Sequence, residues 1–172
     1  MGRRLFAGTS SGTATKAADA DKLGGQAPSA YVMMSRHRSL AVKLAMGETR
    51  ELAAAGGVAI DAKCDQSAGR DRIRLIARTS VANAFLDGDS DYNGGTLVSD
   101  FLQPGTPEED RTLIYESQST GTDPWVDNDI DEGFVMAPNG TLLTVTGEGW
   151  ALGLNVAGAK CYAAGTIDVI TP

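Results

Sequence analysis

The segment Val58-Ala59-Ile60-Asp61-Ala62-Lys63-Cys64 places Val58, Ile60, Ala62 and Cys64 on one face of an extended chain, with Asp61 and Lys63 on the other. Arg72-Ile73-Arg74-Leu75-Ile76-Ala77-Arg78 repeats the pattern: Ile73, Leu75 and Ala77 point in, while Arg72, Arg74 and Arg78 point out. Further short apolar runs predict strands at 41–46, 48–53, 96–102, 111–118, 132–137, 141–146, 150–156 and 160–169. Asn139-Gly140, between Met136 and Leu142, is the dipeptide expected of a type I′ hairpin. Long stretches with a 3.6-residue period are missing. Roughly ten closely spaced strands therefore predict an all-β antiparallel β-sandwich or jelly roll over residues 39–172.

Residues 1–38 have a different texture. The first twenty are mostly Gly, Ser, Thr and Ala with a few charges, a composition that buries too little surface to offset its ordering entropy. They read as a low-complexity stalk or linker. In the stretch that follows, Gly24-Gly25 would stop a helical turn at Leu23, and Pro28 would start another that presents Tyr31. Leu23 and Tyr31 are the bulky anchors here, so they must pack on something.

Composition narrows the class. Of the 172 residues, 42% are hydrophobic and 22% charged, as in an ordinary globular domain, and the 21 glycines fall mostly between apolar runs. The net charge of −7, from 22 acidic against 15 basic side chains, opposes nucleic acid and anionic membrane surfaces as partners. Membrane insertion is not expected, because no run approaches the ~20 apolar residues a spanning helix needs. The start, Met1-Gly2-Arg3-Arg4-Leu5-Phe6, has basic residues but no apolar stretch after them, so no signal peptide is visible.

The stalk residues Asp21-Lys22-Leu23-Gly24-Gly25-Gln26-Ala27-Pro28-Ser29-Ala30-Tyr31 resemble the Leu-Gly-Gly…Tyr element of actinobacterial surface proteins and phage tail fibres. The rest resembles uncharacterised actinobacterial secreted β domains. The likeness lies in Ile60-Asp61-Ala62-Lys63-Cys64, in Ala77-Arg78-Thr79-Ser80-Val81-Ala82-Asn83-Ala84-Phe85, and in Gly153 to Gly165 around Cys161-Tyr162. The resemblance implies secretion or cell-surface display without an assigned activity, and the tail-fibre analogy implies self-association through Leu23, Gly24, Gly25 and Tyr31, as in trimeric stems.

Several constellations carry candidate chemistry. Cys64 and Cys161 each sit on an alternating, half-buried segment. A disulfide between them would close a loop worth on the order of 4–5 kcal/mol and would imply an extracellular setting. The alternative is two separate buried thiols, which a reducing compartment favours. Asp87, Asp89 and Asp91, and likewise Asp127, Asp129 and Asp131, could converge on Ca²⁺, the one cofactor considered; equally, they could be turn formers at strand ends. Trp125 and Tyr92 are candidate ligand-binding aromatics for a glycan or other cell-surface polymer, with Trp125 in a loop-like context. The arginine stripe of residues 70–78 could receive an acidic partner, or be offset by cross-strand carboxylates.

Catalysis has little to build on. The single histidine, His37, lies between Arg36 and Arg38 at the expected stalk junction, and no zinc-protease, phosphate-loop, nucleophile-elbow or dinucleotide motif is present. A glycosidase would need only two carboxylates, and 22 are available. The expectation is a non-enzymatic structural or adhesive display module, with a carbohydrate- or calcium-binding module as the alternative.

Overall fold

The computed structural model describes residues 34–90, 96–119, 124–128, 130–156 and 158–172. The strands are β1 (Met34–Leu44), β2 (Thr49–Ala55), β3 (Val58–Ser67), β4 (Arg70–Thr79), β5 (Ala84–Ser90), β6 (Thr96–Leu102), β7 (Thr112–Ser119), β8 (Trp125–Asp127), β9 (Asp131–Met136), β10 (Leu142–Val156) and β11 (Ala159–Thr171). One antiparallel sheet has the order β1-β11-β10-β9-β5-β6, with β8 pairing the far end of β10; the other has the order β2-β3-β4-β7. The two pack as a β-sandwich. Most neighbours follow one another along the chain, as in β2/β3, β3/β4, β5/β6, β9/β10 and β10/β11.

The alternating positions do what their period dictates. Ile60, Ala62, Cys64, Ile73 and Leu75 are fully buried between the sheets, facing Leu44, Leu143, Leu152 and Ala163 of the larger one. Each large aliphatic residue buried this way contributes about 1.5–3 kcal/mol. In β7 a register shift opposite Leu75/Ile76 turns both Leu113 and Ile114 into the core. Leu113 lies over paired Gly88 and Gly133 of β5 and β9, where any Cβ would collide with it. Gly88 admits the Leu113 backbone and Gly133 its Cβ, so the sheets approach closely here.

Four expectations change. The domain begins at Met34 rather than Ser39, because β1 pairs with the last strand along its whole length, from Met34↔Thr171 to Leu44↔Cys161. His37 is thus a strand residue, not a hinge residue. The predicted strands 141–146 and 150–156 are one continuous β10, shifted in register between Gly147 and Gly149. The Trp150 ring lies over Gly147, at the place a methyl group would occupy, so this glycine is a packing site rather than a break. The hairpin at Asn139-Gly140 is not type I′, since Pro138 holds a negative φ. Pro138 and Asn139 form the centre of the turn, the Gly140 N–H donates to Ala137 O at 2.9 Å, and Gly140 alone takes a positive φ of 88°. Finally, Ala84–Ser90 is a strand, not part of an acidic loop.

Among the described residues, β1 is an edge strand of the larger sheet. Arg36, His37, Arg38 and Lys43 are exposed along it, and these charges discourage pairing with another strand. No helix among the described residues is long and apolar enough to cross a membrane.

Candidate contact surface

Cys64 of β3 and Cys161 of β11 are bonded, with their Cα atoms 5.8 Å apart, so the disulfide ties one sheet to the other. Both residues are fully buried in the core. Of the two alternatives for these sulfurs, the bridge is the one found.

The outer faces of the two sheets differ in kind. On the four-stranded sheet, strand alternation turns Lys63 and Asp65 of β3 and Arg72 and Arg74 of β4 outward, in the register Lys63↔Arg74 and Asp65↔Arg72. Arg72 Nε donates to Asp65 at 2.6 Å, and Arg74 binds both Asp65 and Glu108. Lys63 Nζ donates to Glu108 at 2.8 Å and lies 3.7 Å from Asp65. Further along, Arg78 bonds Asp61 at 2.9 Å and Glu51 at 2.6 Å. Glu108 arrives on the connection between β6 and β7. A 3-10 turn at Glu109–Arg111 follows it, and Arg111 reaches the Ala77 carbonyl at 3.3 Å. That connection covers part of the sheet, which is why Arg74 is only 8% exposed.

Burial alone would raise the Asp65 carboxyl, but hydrogen bonds from Arg72 and Arg74 outweigh it and hold the group below the usual carboxylate range. At Glu108 the same burial effect is overcome by the Lys63 hydrogen bond and the Arg74 charge, again lowering it. Hydrogen bonds to Asp61 and then Glu51 raise Arg78. Arg72, Arg74 and Arg78 are thus neutralised within the chain, partly by the expected cross-strand carboxylates, while Arg70 bonds the Oγ and carbonyl oxygen of Ser117. Glu108 was not anticipated, because it comes from a connecting segment with no pattern of its own.

The outer face of the larger sheet is built differently. Leu86, Leu102, Val135, Leu143 and Val169 point inward, so their neighbours Phe85, Phe101, Met136, Leu142 and Ile170 point outward. The registers Phe85↔Phe101, Phe85↔Met136, Leu142↔Met136 and Leu142↔Ile170 place all five in one row across β6, β5, β9, β10 and β11. Phe101 is 63% exposed and Met136 40%. Phe85 braces Phe101 edge to face, with centroids 5.4 Å apart, and touches the Phe134 ring at 5.9 Å.

Two residues further along the strands runs a mixed row. Asp87 pairs with Phe134, Phe134 with Thr144, Thr144 with Asp168, and Asp168 with His37. His37 Nδ1 lies 3.0 Å from Asp168 Oδ1. A third row, Glu132, Thr146 and Thr166, follows. None of these row positions is Lys or Arg. The pattern that encodes this surface is the alternation Ala84-Phe85-Leu86-Asp87, which sequence reading passed over because Asp87 and Gly88 resemble a turn.

The other anticipated site residues are scattered. Asp87 faces outward from β5, whereas Asp131 is buried on the inward side of β9. Asp89 belongs to β5 rather than to a loop. Asp127 lies on β8 opposite Trp150, and its Oδ1 accepts the Asn128 N–H at 2.7 Å. Asp91, Tyr92 and Asp129 lie outside the described residues, as do Leu23, Gly24, Gly25 and Tyr31. No cluster of three or more His, Cys, Asp or Glu suited to a metal ion occurs among the described residues. Trp125 belongs to β8 and packs half-buried against the core; Val126 is the exposed residue there. Trp150 is a core residue, as expected. A shallow depression of about 380 Å³ beside the β2–β3 turn is lined by small side chains and Arg78.

Fold and surface together define a disulfide-bonded all-β sandwich with one face closed by ion pairs and one face carrying an aromatic row. Comparison with protein-family models, with curated proteins and with solved structures returns no match to this chain.

Proposed function

We propose that this chain is a non-enzymatic display module that works by contact, structural or adhesive, at an extracellular or cell-surface location. The observation that carries the reading is the buried inter-sheet Cys64–Cys161 bond. Such bonds persist in oxidising compartments and keep unfolding rare where chaperones are absent. The resemblance of the flanking segments to secreted β domains supports the same compartment. Support for contact rather than catalysis comes from how the charged groups are used. Arg72, Arg74 and Arg78 are held in ion pairs on a sheet face, and His37 stands with Asp168 on an open surface.

The stalk reading belongs to this proposal: residues 1–33 tether the sandwich and bring copies together. Light scattering of the full chain and of a chain starting at Met34 tests that part. A full chain larger than a monomer and a monomeric truncation are expected; monomers in both forms would remove the stem. The compartment is tested by mass spectrometry of natively produced protein alkylated before lysis. The linked Cys64–Cys161 peptide is expected, and two alkylated free thiols would overturn the assignment.

A further inference from the structure

We infer that the row Phe101–Phe85–Met136–Leu142–Ile170 is a binding platform for a neutral polysaccharide chain. The inference rests on the contact-module reading and names the partner class of its exposed face.

The geometry is that of an extended ligand. Five adjacent strands about 4.8 Å apart carry the row across roughly 19 Å of sheet. Its members are anchored on strands, and Phe85 wedges both Phe101 and Phe134, so the platform is organised before anything binds. The mixed row runs parallel to it, two residues or ~6.7 Å along the strands. There Asp87, Thr144 and the Asp168–His37 pair offer mainly hydrogen-bond acceptors. Asp87 has no partner among the described residues.

A sugar polymer has the matching surface. The C–H face of a pyranose ring is apolar and stacks on an aromatic or aliphatic row, while the hydroxyls at its rim donate to carboxylates and threonine oxygens. Charge points the same way. With Asp87, Glu132 and Asp168 on this face and neither Lys nor Arg in its rows, an anionic polymer is repelled and a neutral one is not.

A second copy of the chain fits less well. Phe101 at 63% exposure, Met136 at 40% and three half-buried neighbours offer on the order of 300 Å². A stable protein interface buries about 800 Å² per partner. A two-fold pairing through this face would also bring two copies of the same acidic surface together.

The experiment is native affinity electrophoresis of the disulfide-bonded chain through gels cast with hydroxyethyl cellulose, arabinoxylan, β-1,3-glucan or, as the anionic control, polygalacturonate. At least one neutral polymer should retard the protein and polygalacturonate should not. Phe101→Ala should weaken the retardation roughly tenfold, and Asp87→Ala should weaken it less. Because Phe101 is mostly solvent-exposed, its variant should keep the wild-type melting temperature, and that measurement excludes misfolding as the cause.

Lack of retardation by every neutral polymer, or equal retardation of Phe101→Ala, would overturn the platform. So would a wild-type dimer that Phe101→Ala turns into a monomer, since the row would then be a self-contact. These outcomes leave the Cys64–Cys161 linkage of native protein untouched, so failure of the glycan assignment and failure of the display reading are separable.

Discussion

Replacing both Cys64 and Cys161 with alanine removes the disulfide crosslink between the two sheets. The bridged residues are 97 positions apart. In the chain-entropy model, opening that loop returns about 2.1 + 1.5R ln 97, or roughly 16 cal/mol/K, to the unfolded chain, which is about 4.7 kcal/mol at 25 °C. Domains of this size have net stabilities of about 5–15 kcal/mol, so the bond supplies a third or more of the total.

With a urea m-value near 2 kcal/mol/M, the midpoint should fall by about 2 M. The m-value should also rise, because an unbridged unfolded chain exposes more surface. Both sulfurs are fully buried, so alanine adds a small cavity cost. Wild-type protein reduced in urea and refolded under thiol isolates the crosslink from that cavity. The bond joins β3 to β11 rather than closing a local hairpin, so the loss should appear as one cooperative transition at lower urea. A midpoint within about 0.5 M of the oxidised protein would refute the loop-entropy argument.

Other outcomes follow from single contacts. Gly147→Ala drives a methyl into the Trp150 ring and should cost about 1–3 kcal/mol, read as a lower urea midpoint with a changed near-ultraviolet circular dichroism signal; an unchanged signal would show that the ring is not held there. Arg74→Met removes the cation shared by Asp65 and Glu108. It should cost about 2–3 kcal/mol, less than a wholly buried pair, because Arg72 and Lys63 remain beside the carboxylates; an unaltered midpoint would show that they compensate fully. The same carboxylates set an acid limb. Their folded pKa values lie below the ordinary 3.8 and 4.5, so their stabilisation is complete above about pH 4.5 and is lost as pH falls through the lowered values. In a series of urea midpoints against pH, Asp65→Asn with Glu108→Gln should flatten the drop below pH 4.5; an identical drop would assign it to other groups.

Where one face of a strand was buried and the other wet, the strand could be read directly. β3 and β4 are the clearest cases: Ile60, Ala62 and Cys64 against Asp61 and Lys63, and Ile73 and Leu75 against Arg72 and Arg74. The same alternation put Cys64 and Cys161 on buried faces, but left open whether they were bridged or two separate thiols. β5 was missed because Asp87-Gly88 has turn composition, yet Gly88 is there to admit Leu113 from the opposite sheet, a constraint set by a residue 25 positions later (113 − 88). Gly147 and Gly149 misled for a related reason, since one glycine makes room for a tryptophan ring and the pair marks a bulge inside a single strand. The start of β1 was hidden because Arg36, His37 and Arg38 lie on an open sheet edge, where charge guards against pairing instead of marking a linker. The aromatic row could not be foreseen at all. Phe85, Phe101, Met136, Leu142 and Ile170 come from five separate strands, and only the strand order brings them side by side.

The two outer faces differ in what they leave available for contact. On the smaller sheet, Arg72, Arg74, Arg78 and Lys63 already have carboxylate partners, and an incoming anion would have to displace ion pairs that lower the carboxyls of Asp65 and Glu108. Displacement costs those pairs and returns little, so that face resists binding. On the larger sheet no comparable partner among the described residues covers Phe101 or Met136, and keeping them in water costs stability that the fold could recover with polar side chains at the same positions. An apolar row kept exposed, held rigid by Phe85 and set beside hydrogen-bond acceptors, costs the isolated domain stability that contact with a partner would return. The covalent bond between the sheets gives the sandwich stability to spare for such a surface.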